Sequence, residues 1–158
     1  MLNTINILSD LRVRIRDEGK IEIGDDNVLI PYINEAISWL NNQLILLQDP
    51  SMIKESDVTD NTVVPDGFVK LVGQHPLCRT GNIFKILDGS TTVSARYWAN
   101  KSRITSVEDT LNFTDQYYDV LVQYATIATL NKLGKPISQD SELFKQLNDL
   151  FVQARKAG

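Results

Sequence analysis

Apolar residues recur at intervals of three and four positions in four separate stretches, which is the spacing of one face of an α-helix. The longest stretch, "DDNVLIPYINEAISWLNNQL", begins with acidic residues and an asparagine that can cap a helix, and Asp49-Pro50 ends it. The apolar face of the first stretch comprises Ile5, Leu8, Leu11 and Ile15. The predicted helices cover about residues 3–17, 27–48, 115–133 and 139–156.

Residues 62–100 have a different pattern, because β-branched residues and short alternations replace the helical spacing. The segment "VVPDGFVKLVG" contains a Pro-Asp-Gly turn signal. In "NIFKILDGSTTVSARYW", two β-rich runs meet at Asp88-Gly89, which is a strong hairpin signal. We therefore expect about three or four short antiparallel strands here. Residues 51–62 are polar and mostly aperiodic, and they predict a connection between the helical and β parts.

These elements predict an α+β fold that is mainly α. Four amphipathic helices can bury their apolar faces against one another as a four-helix bundle. The small antiparallel β-sheet or hairpin is inserted between the second and third helices. A chain of 158 residues fits a single domain, residues 1–158.

The net charge of −4 argues against a protein whose main task is to wrap nucleic acid, since such proteins carry a basic excess. Cys78 is the single cysteine, so the chain forms no internal disulfide, as is typical of a reducing compartment. The sequence has no apolar run of about 18 residues and no signal-peptide pattern. We expect a protein made in the cytoplasm.

The residues that could carry catalysis are few. His75 and Cys78 form an H-x-x-C spacing, but a zinc site or an activated thiol needs further partners that the sequence does not supply. The carboxylate pairs Asp17-Glu18, Asp25-Asp26 and Glu108-Asp109 lie at predicted helix ends or in loops, where capping explains them. No phosphate-binding glycine motif is present. The sequence predicts no enzyme, no cofactor and no metal site.

Two groups of basic residues raise the alternative that the protein binds nucleic acid. Alternation distributes Arg12, Arg14 and Arg16 around the first helix rather than along one stripe. Lys101 and Arg103 follow Tyr97-Trp98, an aromatic pair that could stack on bases. The favoured interpretation is that these aromatic residues cover the hairpin while the basic residues are solvated.

Three segments in this order resemble bacteriophage head–tail connector (adaptor) proteins, which form rings beneath the portal. "DDNVLIPYINEAISWLNNQL" resembles the early helix of that family, and "VVPDGFVKLVG" resembles the start of its inserted sheet. "LNFTDQYYDVLVQYATIATLNKLGKP" and "DSELFKQLNDLFVQARKA" resemble its closing helix pair. The resemblance covers nearly the whole chain and lies in pattern and element order.

The resemblance implies a structural virion protein at the head–tail interface, made in the host cytoplasm and without catalytic activity. It implies a ring of commonly about twelve copies, with heterologous contacts between subunits. The partners implied are further copies, the portal protein, a tail or stopper protein, and double-stranded DNA that passes through the bore without specific binding. An acidic bore would repel phosphates. The interface residues expected on this basis are Ile83, Phe84, Tyr97, Trp98, Arg155 and Lys156.

Three alternatives remain open at this stage. A tail-completion or stopper protein is the nearest, because its sequence pattern barely differs from that of an adaptor. A small DNA-binding regulator would use Arg12, Arg14 and Arg16 on the first helix. A small hydrolase would use His75 and Cys78.

Overall fold

A computed structural model describes residues 1–134 and 141–157. The helices of this part of the chain are α1 (Thr4–Ile15), α2 (Ile30–Leu46), α3 (Tyr118–Lys132) and α4 (Ser141–Lys156). The strands are β1 (Leu2–Asn3), β2 (Ile53–Thr59), β3 (Thr62–Val63), β4 (Phe68–Leu71), β5 (Leu77–Thr80), β6 (Ile83–Ile86), β7 (Thr92–Ala99) and β8 (Thr110–Leu111). Short 3-10 turns precede α2, β2 and α3. The first two residues of the predicted fourth helix, 139 and 140, lie outside the described residues.

The chain divides into two compact units. Met1–Leu40 and Ser102–Gly158 form the first, which we call the helical unit. Asn41–Lys101 form the second, which we call the β unit. The last residues of α2 therefore belong to the β unit.

Helix α3 is the central element of the helical unit, and it packs against both α1 and α4. Its buried residues are Val120, Leu121, Val122, Gln123, Ala125, Thr126, Ile127 and Thr129, which lie on most sides of the helix. Trp39 of α2 stacks on Tyr124 of α3 at a centroid distance of 5.3 Å and meets Phe151 of α4 edge-on. Aromatic packing and apolar burial thus join three helices of this unit.

Helix α1 differs from its prediction in the face that it buries. Ile7, Leu8, Leu11 and Ile15 are buried, whereas the side chain of Ile5 is 52% exposed. Asn3 caps the helix by accepting a hydrogen bond from the backbone N–H of Ile5. The cap fixes where the first turn begins, and Ile5 lies in this turn.

The β unit consists of two three-stranded antiparallel sheets, with strand orders β2-β7-β4 and β3-β6-β5. Both sheets contribute to one apolar cluster, in which Phe84 of β6 is 1% exposed. Phe68 of β4 packs edge-on against Phe84 and lies 5.5 Å from the ring of Tyr97. The buried members of the cluster are Val58, Val64, Leu77, Phe84, Val93 and Ala95.

The predicted fold class was therefore wrong in architecture. The chain is α+β, but eight strands in three sheets, counted over residues 1–134 and 141–157, replace a four-helix bundle with one inserted sheet or hairpin. The strands that flank Asp88-Gly89 are β6 and β7, and they lie in different sheets. The two-residue hairpin is instead Gly81-Asn82, between β5 and β6, where Gly81 has a φ of +62°. A glycine turn permits a sharp reversal, but it does not determine which strands pair.

Strand β2 falls in the stretch that was predicted to be a polar connection. It is an edge strand that pairs with β7 from Ile53↔Trp98 to Thr59↔Thr92. Its Lys54, Glu55 and Asp57 are charged, as is common on edge strands because charge opposes pairing with another chain. Polar composition therefore concealed a strand of seven residues.

Candidate interaction surfaces

The side chain of Arg12 lies in the interior of the helical unit, where it anchors the loop after α1. Its Nη1 donates to the carbonyl oxygen of Ile23 at 2.7 Å and to Oδ2 of Asp17 at 3.1 Å. The Asp17 carboxylate also accepts hydrogen bonds from the backbone N–H groups of Ile21, Glu22 and Ile23. These hydrogen bonds, led by that of Glu22, lower the pKa of Asp17.

Asp26 completes this cluster from the far end of the loop. Arg12 Nε donates to Oδ1 of Asp26 at 2.8 Å, and Nη2 lies 2.6 Å from the same oxygen without hydrogen-bond geometry. Lys20 Nζ lies 3.2 Å from Oδ2. Burial alone would raise the pKa of Asp26, but the bonds from Arg12 and Lys20 outweigh it and the pKa is lowered. Arg12 therefore has a structural role, because it holds the loop between α1 and α2 in place.

The other two arginines of α1 have separate surroundings. Arg14 Nη1 donates to Oε1 of Gln123 at 2.7 Å, and Nη2 lies 3.7 Å from a carboxylate oxygen of Asp119. Arg16 is exposed and adopts the left-handed conformation that ends α1. The three arginines therefore do not form the continuous phosphate-binding surface that a DNA-binding helix requires.

His75 and Cys78 do not hydrogen-bond to each other. His75 Nε2 lies 3.0 Å from the carbonyl oxygen of Val72 and 3.4 Å from the backbone nitrogen of Arg96. It donates to the first group when protonated and accepts from the second when unprotonated, so either tautomer hydrogen-bonds to one backbone group. Cys78 is exposed on β5, with its sulfur 3.8 Å from the carbonyl oxygen of Arg79. A general base must contact the thiol that it activates, and the ring contacts two backbone groups instead.

The carboxylate pairs contain residues that hold loops and helix starts. Asp25 accepts from the backbone N–H of Asn27 at 2.9 Å at the start of the turn before α2. Asp109 accepts from the N–H groups of Thr105 and Ser106, and these bonds lower its pKa. Within residues 1–134 and 141–157, no group of three or more His, Cys, Asp or Glu side chains is arranged to hold a metal ion.

Three of the predicted interface residues, all on strands of the β unit, have buried side chains. Phe84, Tyr97 and Trp98 are all buried, and Ile83 is partly buried. Arg155 and Lys156 are exposed in the last turn of α4. The three buried side chains are not accessible to another subunit in this conformation, and the aromatic pair offers no open platform for bases.

Two asparagines of α2 hold the segment that follows β7, each within its own unit. In the β unit, the side-chain amide of Asn41 pairs with both the N–H and the carbonyl oxygen of Lys101, at 3.0 Å each. In the helical unit, Asn34 pairs in the same way with Ile104, at 2.9 Å each. Each amide satisfies two backbone groups of a segment that lies between β7 and β8.

The outer side of α1 carries an apolar groove of about 430 Å³ in the helical unit. Its apolar lining includes Ile5 and Val13, which are 52% and 54% exposed. Leu8 and Val107 also line it, and Glu18 lies among its charged residues. We call this surface the α1 groove. Its remaining lining residues are Ser9, Arg12, Lys20 and Asp26.

The β unit carries a second groove of about 490 Å³, which we call the Leu46 surface. Leu46 is 75% exposed, and Val69 of β4 is also exposed. Lys70 is charged, and the remaining lining residues are Asn42, Ile45, Gln48 and Asn100. Both apolar side chains are therefore accessible to another molecule.

Sequence reasoning did not select these two surfaces, although a signal was present. Val13 lies off the apolar face predicted for the first helix. Leu46 is an apolar residue of the second helix that does not continue the spacing of three and four residues set by Ile33, Ile37, Leu40 and Leu44. An apolar residue on the polar side of an element indicates either a broader core or a contact with another molecule.

The described helices include none that is long and apolar enough to cross a membrane. The sequence matches no protein-family model, and a comparison with curated proteins gives no significant match.

Proposed function

We propose that the chain is a structural subunit of a ring that joins a bacteriophage portal to its tail, a head–tail adaptor. The observation that carries the proposal is the presence of two different exposed apolar surfaces, the α1 groove and the Leu46 surface. A ring subunit needs two such surfaces, because each copy meets one neighbour with one face and the other neighbour with a different face.

The roles of the polar side chains also support a structural protein. Arg12, Asp17 and Asp109 are occupied in holding loops, and Nε2 of His75 contacts the backbone. Asn34 and Asn41 hold the segment after β7. Polar groups at a catalytic centre converge on a substrate cleft, whereas these groups satisfy the protein's own backbone.

The charge distribution supports a ring through which DNA passes. The helical unit contains fourteen acidic and ten basic side chains, and the β unit contains six of each. The whole net charge of −4 therefore resides in the helical unit. If this unit lines the bore, its charge repels DNA phosphates and prevents the salt-sensitive adhesion that a basic surface produces.

On this proposal the ring holds about twelve copies, binds the portal on one side and a tail or stopper protein on the other, and resides in the neck of the virion. The exposed end of α4, with Arg155 and Lys156, is available to one of these neighbours. The same surfaces suit a stopper protein equally well. The two functions differ in position, because the adaptor binds the portal directly.

The proposal can be tested by mixing this chain with the portal protein that is encoded nearest to its gene. Sedimentation velocity then measures whether the two proteins form a complex. We expect the portal ring to bind about one chain per portal subunit or fewer, with no complex on an unrelated ring of similar size. A chain that remains monomeric with the portal but binds purified tail protein would be a stopper. Salt-dependent binding to DNA fragments without any portal complex would favour the DNA-binding regulator.

A further inference from the structure

The α1 groove combines an apolar lining with one carboxylate that is open to a partner. Arg12, Lys20 and Asp26 line the groove and are joined in ion pairs. Glu18 also lines it and is exposed, and it makes no ion pair within residues 1–134 and 141–157. A partner of this groove therefore needs an apolar side chain and a nearby positive charge.

The Leu46 surface has these two properties. Leu46 is its most exposed apolar side chain. Lys70 lines the same groove, is exposed, and has no ion pair within the described part of the chain. The other polar lining residues, Asn42, Gln48 and Asn100, are neutral amides. This surface carries no carboxylate that would oppose Glu18.

We infer that the α1 groove of one copy binds the Leu46 surface of the next copy, with Leu46 against Ile5 and Val13 and with Lys70 facing Glu18. This inference rests on the proposed ring and names its subunit interface. The two surfaces differ, so the contact is heterologous, and a pair of copies keeps one open α1 groove on one copy and one open Leu46 surface on the other. Repeating the contact adds subunits in one direction, as in a ring.

A protein surface fits the α1 groove better than an enclosed small molecule does. Two of the apolar side chains that line it are about half exposed, so the groove is shallow and open. Small-molecule sites bury most of the surface of their ligand. A second copy supplies both an apolar side chain and the matching charge.

Disulfide trapping tests the contact directly. In a Cys78→Ser background, one preparation carries Val13→Cys and another carries Leu46→Cys. We expect their mixture to oxidise to a heterodimer at about ten times the yield of a control mixture, because contact raises the effective thiol concentration. The control replaces Val13→Cys with Val152→Cys, a position on α4 with a similar exposure of 50%. A chain that carries both Val13→Cys and Leu46→Cys should give a ladder of multimers.

Equal yields in the two mixtures at the highest soluble concentration would overturn the inference. Homodimers of the Leu46→Cys chain at the yield of the test mixture would also overturn it, because they indicate a symmetric contact. If Val13→Cys disturbs folding, as judged by circular dichroism, Ile5→Cys replaces it in the same groove.

Exchange of charge provides a second, independent test. Glu18→Lys and Lys70→Glu should each weaken self-association by about fivefold to tenfold, because like charges then face each other. An equimolar mixture of the two variants should regain association, since every contact in an alternating assembly again pairs opposite charges. Lys145→Glu on α4 is the matched control and should have no effect. Weakened single variants that do not recover on mixing would contradict the pairing.

The outcomes separate this inference from the proposed function. If trapping and charge exchange both fail while the chain still assembles on the portal, the adaptor proposal stands and the interface lies elsewhere. If the chain neither self-associates nor binds the portal, the adaptor proposal itself fails. If the heterodimer forms but no portal complex does, the subunit contact stands without its proposed place in the neck.

Discussion

The two units of this chain are fixed by different kinds of interaction. In the helical unit, buried polar side chains hold irregular segments, as Arg12 and Asp17 do for the loop after α1. In the β unit, the strands share a small apolar cluster and turn at glycines with positive φ, such as Gly67 and Gly81. The helical unit carries all of the net charge, and the β unit is neutral overall.

This difference indicates where each unit is sensitive to substitution. A helix can satisfy its own backbone, so the weak points of the helical unit are the loops, which depend on a few side-chain hydrogen bonds. A small pair of sheets depends on apolar burial and on turns that only certain residues adopt.

The largest effect is expected at the centre of the β unit. Phe84→Ala should lower the free energy of unfolding by about 4 kcal/mol, because it removes a fully buried ring and leaves a cavity. Chemical denaturation followed by Trp98 fluorescence, in a Trp39→Phe background, measures this change. Val63→Ala, on the neighbouring strand β3 and exposed, is the control and should change the value by less than about 0.5 kcal/mol. An unchanged stability with lost self-association would instead make Phe84 an interface residue.

The corresponding substitution in the helical unit is Arg12→Ala. It leaves the carboxylates of Asp17 and Asp26 without their guanidinium partner and should cost about 3 kcal/mol. Arg14 lies two residues later in the same helix, and its side chain is partly exposed. Arg14→Ala should therefore cost less than about 1 kcal/mol. Denaturation of the two variants provides the comparison. Equal and small losses would show that the loop does not depend on the buried guanidinium.

The turns of the β unit are tested at two glycines that both have positive φ. A Cβ at Gly67 would lie 2.6 Å from the carbonyl oxygen of Asn100, whereas a Cβ at Gly73 would meet nothing within 4 Å. Gly67→Ala should therefore cost about 2 to 3 kcal/mol from conformation and clash together, and Gly73→Ala only about 1 kcal/mol from conformation. Thermal unfolding measures the destabilisation caused by each variant. Equal destabilisation would show that the close approach of Asn100 does not disfavour a side chain at position 67.

Asn34 tests the side-chain support of an irregular segment. Asn34→Ala removes two hydrogen bonds to the backbone of Ile104, which is buried, and should cost about 1 to 2 kcal/mol. Asn42→Ala, at an exposed position of the same helix, is the control and should be nearly neutral. Hydrogen exchange at the amide of Ile104 should accelerate in the first variant, and unchanged exchange would contradict the proposed support.

The smallest effect is a dependence on pH in the helical unit. The pKa values of Asp17 and Asp26 are lowered in the folded chain, so their ionised forms stabilise it above the ordinary carboxyl pKa of 3.8. This stabilisation should disappear as the pH falls below about 4, where the unfolded carboxyls begin to bind protons. The Tm of an Asp17→Asn variant should therefore fall less steeply with acid than that of the unchanged chain. Identical slopes would contradict the role of Asp17.

The helices could be predicted because their signal is local. Spacings of three and four residues place α1, α2 and α3 within a few residues of their observed bounds. The arrangement of the sheets could not be predicted in this way. Strand β2 pairs with β7, which is distant in sequence, and the residues near β2 do not indicate that partner. Asp88-Gly89 marks a turn, yet it joins strands of different sheets. Pairing between distant segments depends on the whole apolar cluster rather than on a turn.

The polar clusters and the interface residues were only partly visible in the sequence. Arg12 lies four residues after Leu8 and three before Ile15, so helical spacing already places it on the buried face of α1. Tyr97 follows Val93 and Ala95 in a period of two, which places it with the core residues of β7. The partners of Arg12 could not be predicted, because they come from a loop whose path its own hydrogen bonds define.

Electron microscopy of this chain mixed with the portal protein encoded nearest to its gene tests whether the chain is a ring subunit of the neck. We expect a closed ring of the chain, coaxial with the portal, in which each copy places its Leu46 surface in the α1 groove of the next copy. Portal rings that remain bare at all concentrations, or that bind single copies at scattered positions, would contradict it.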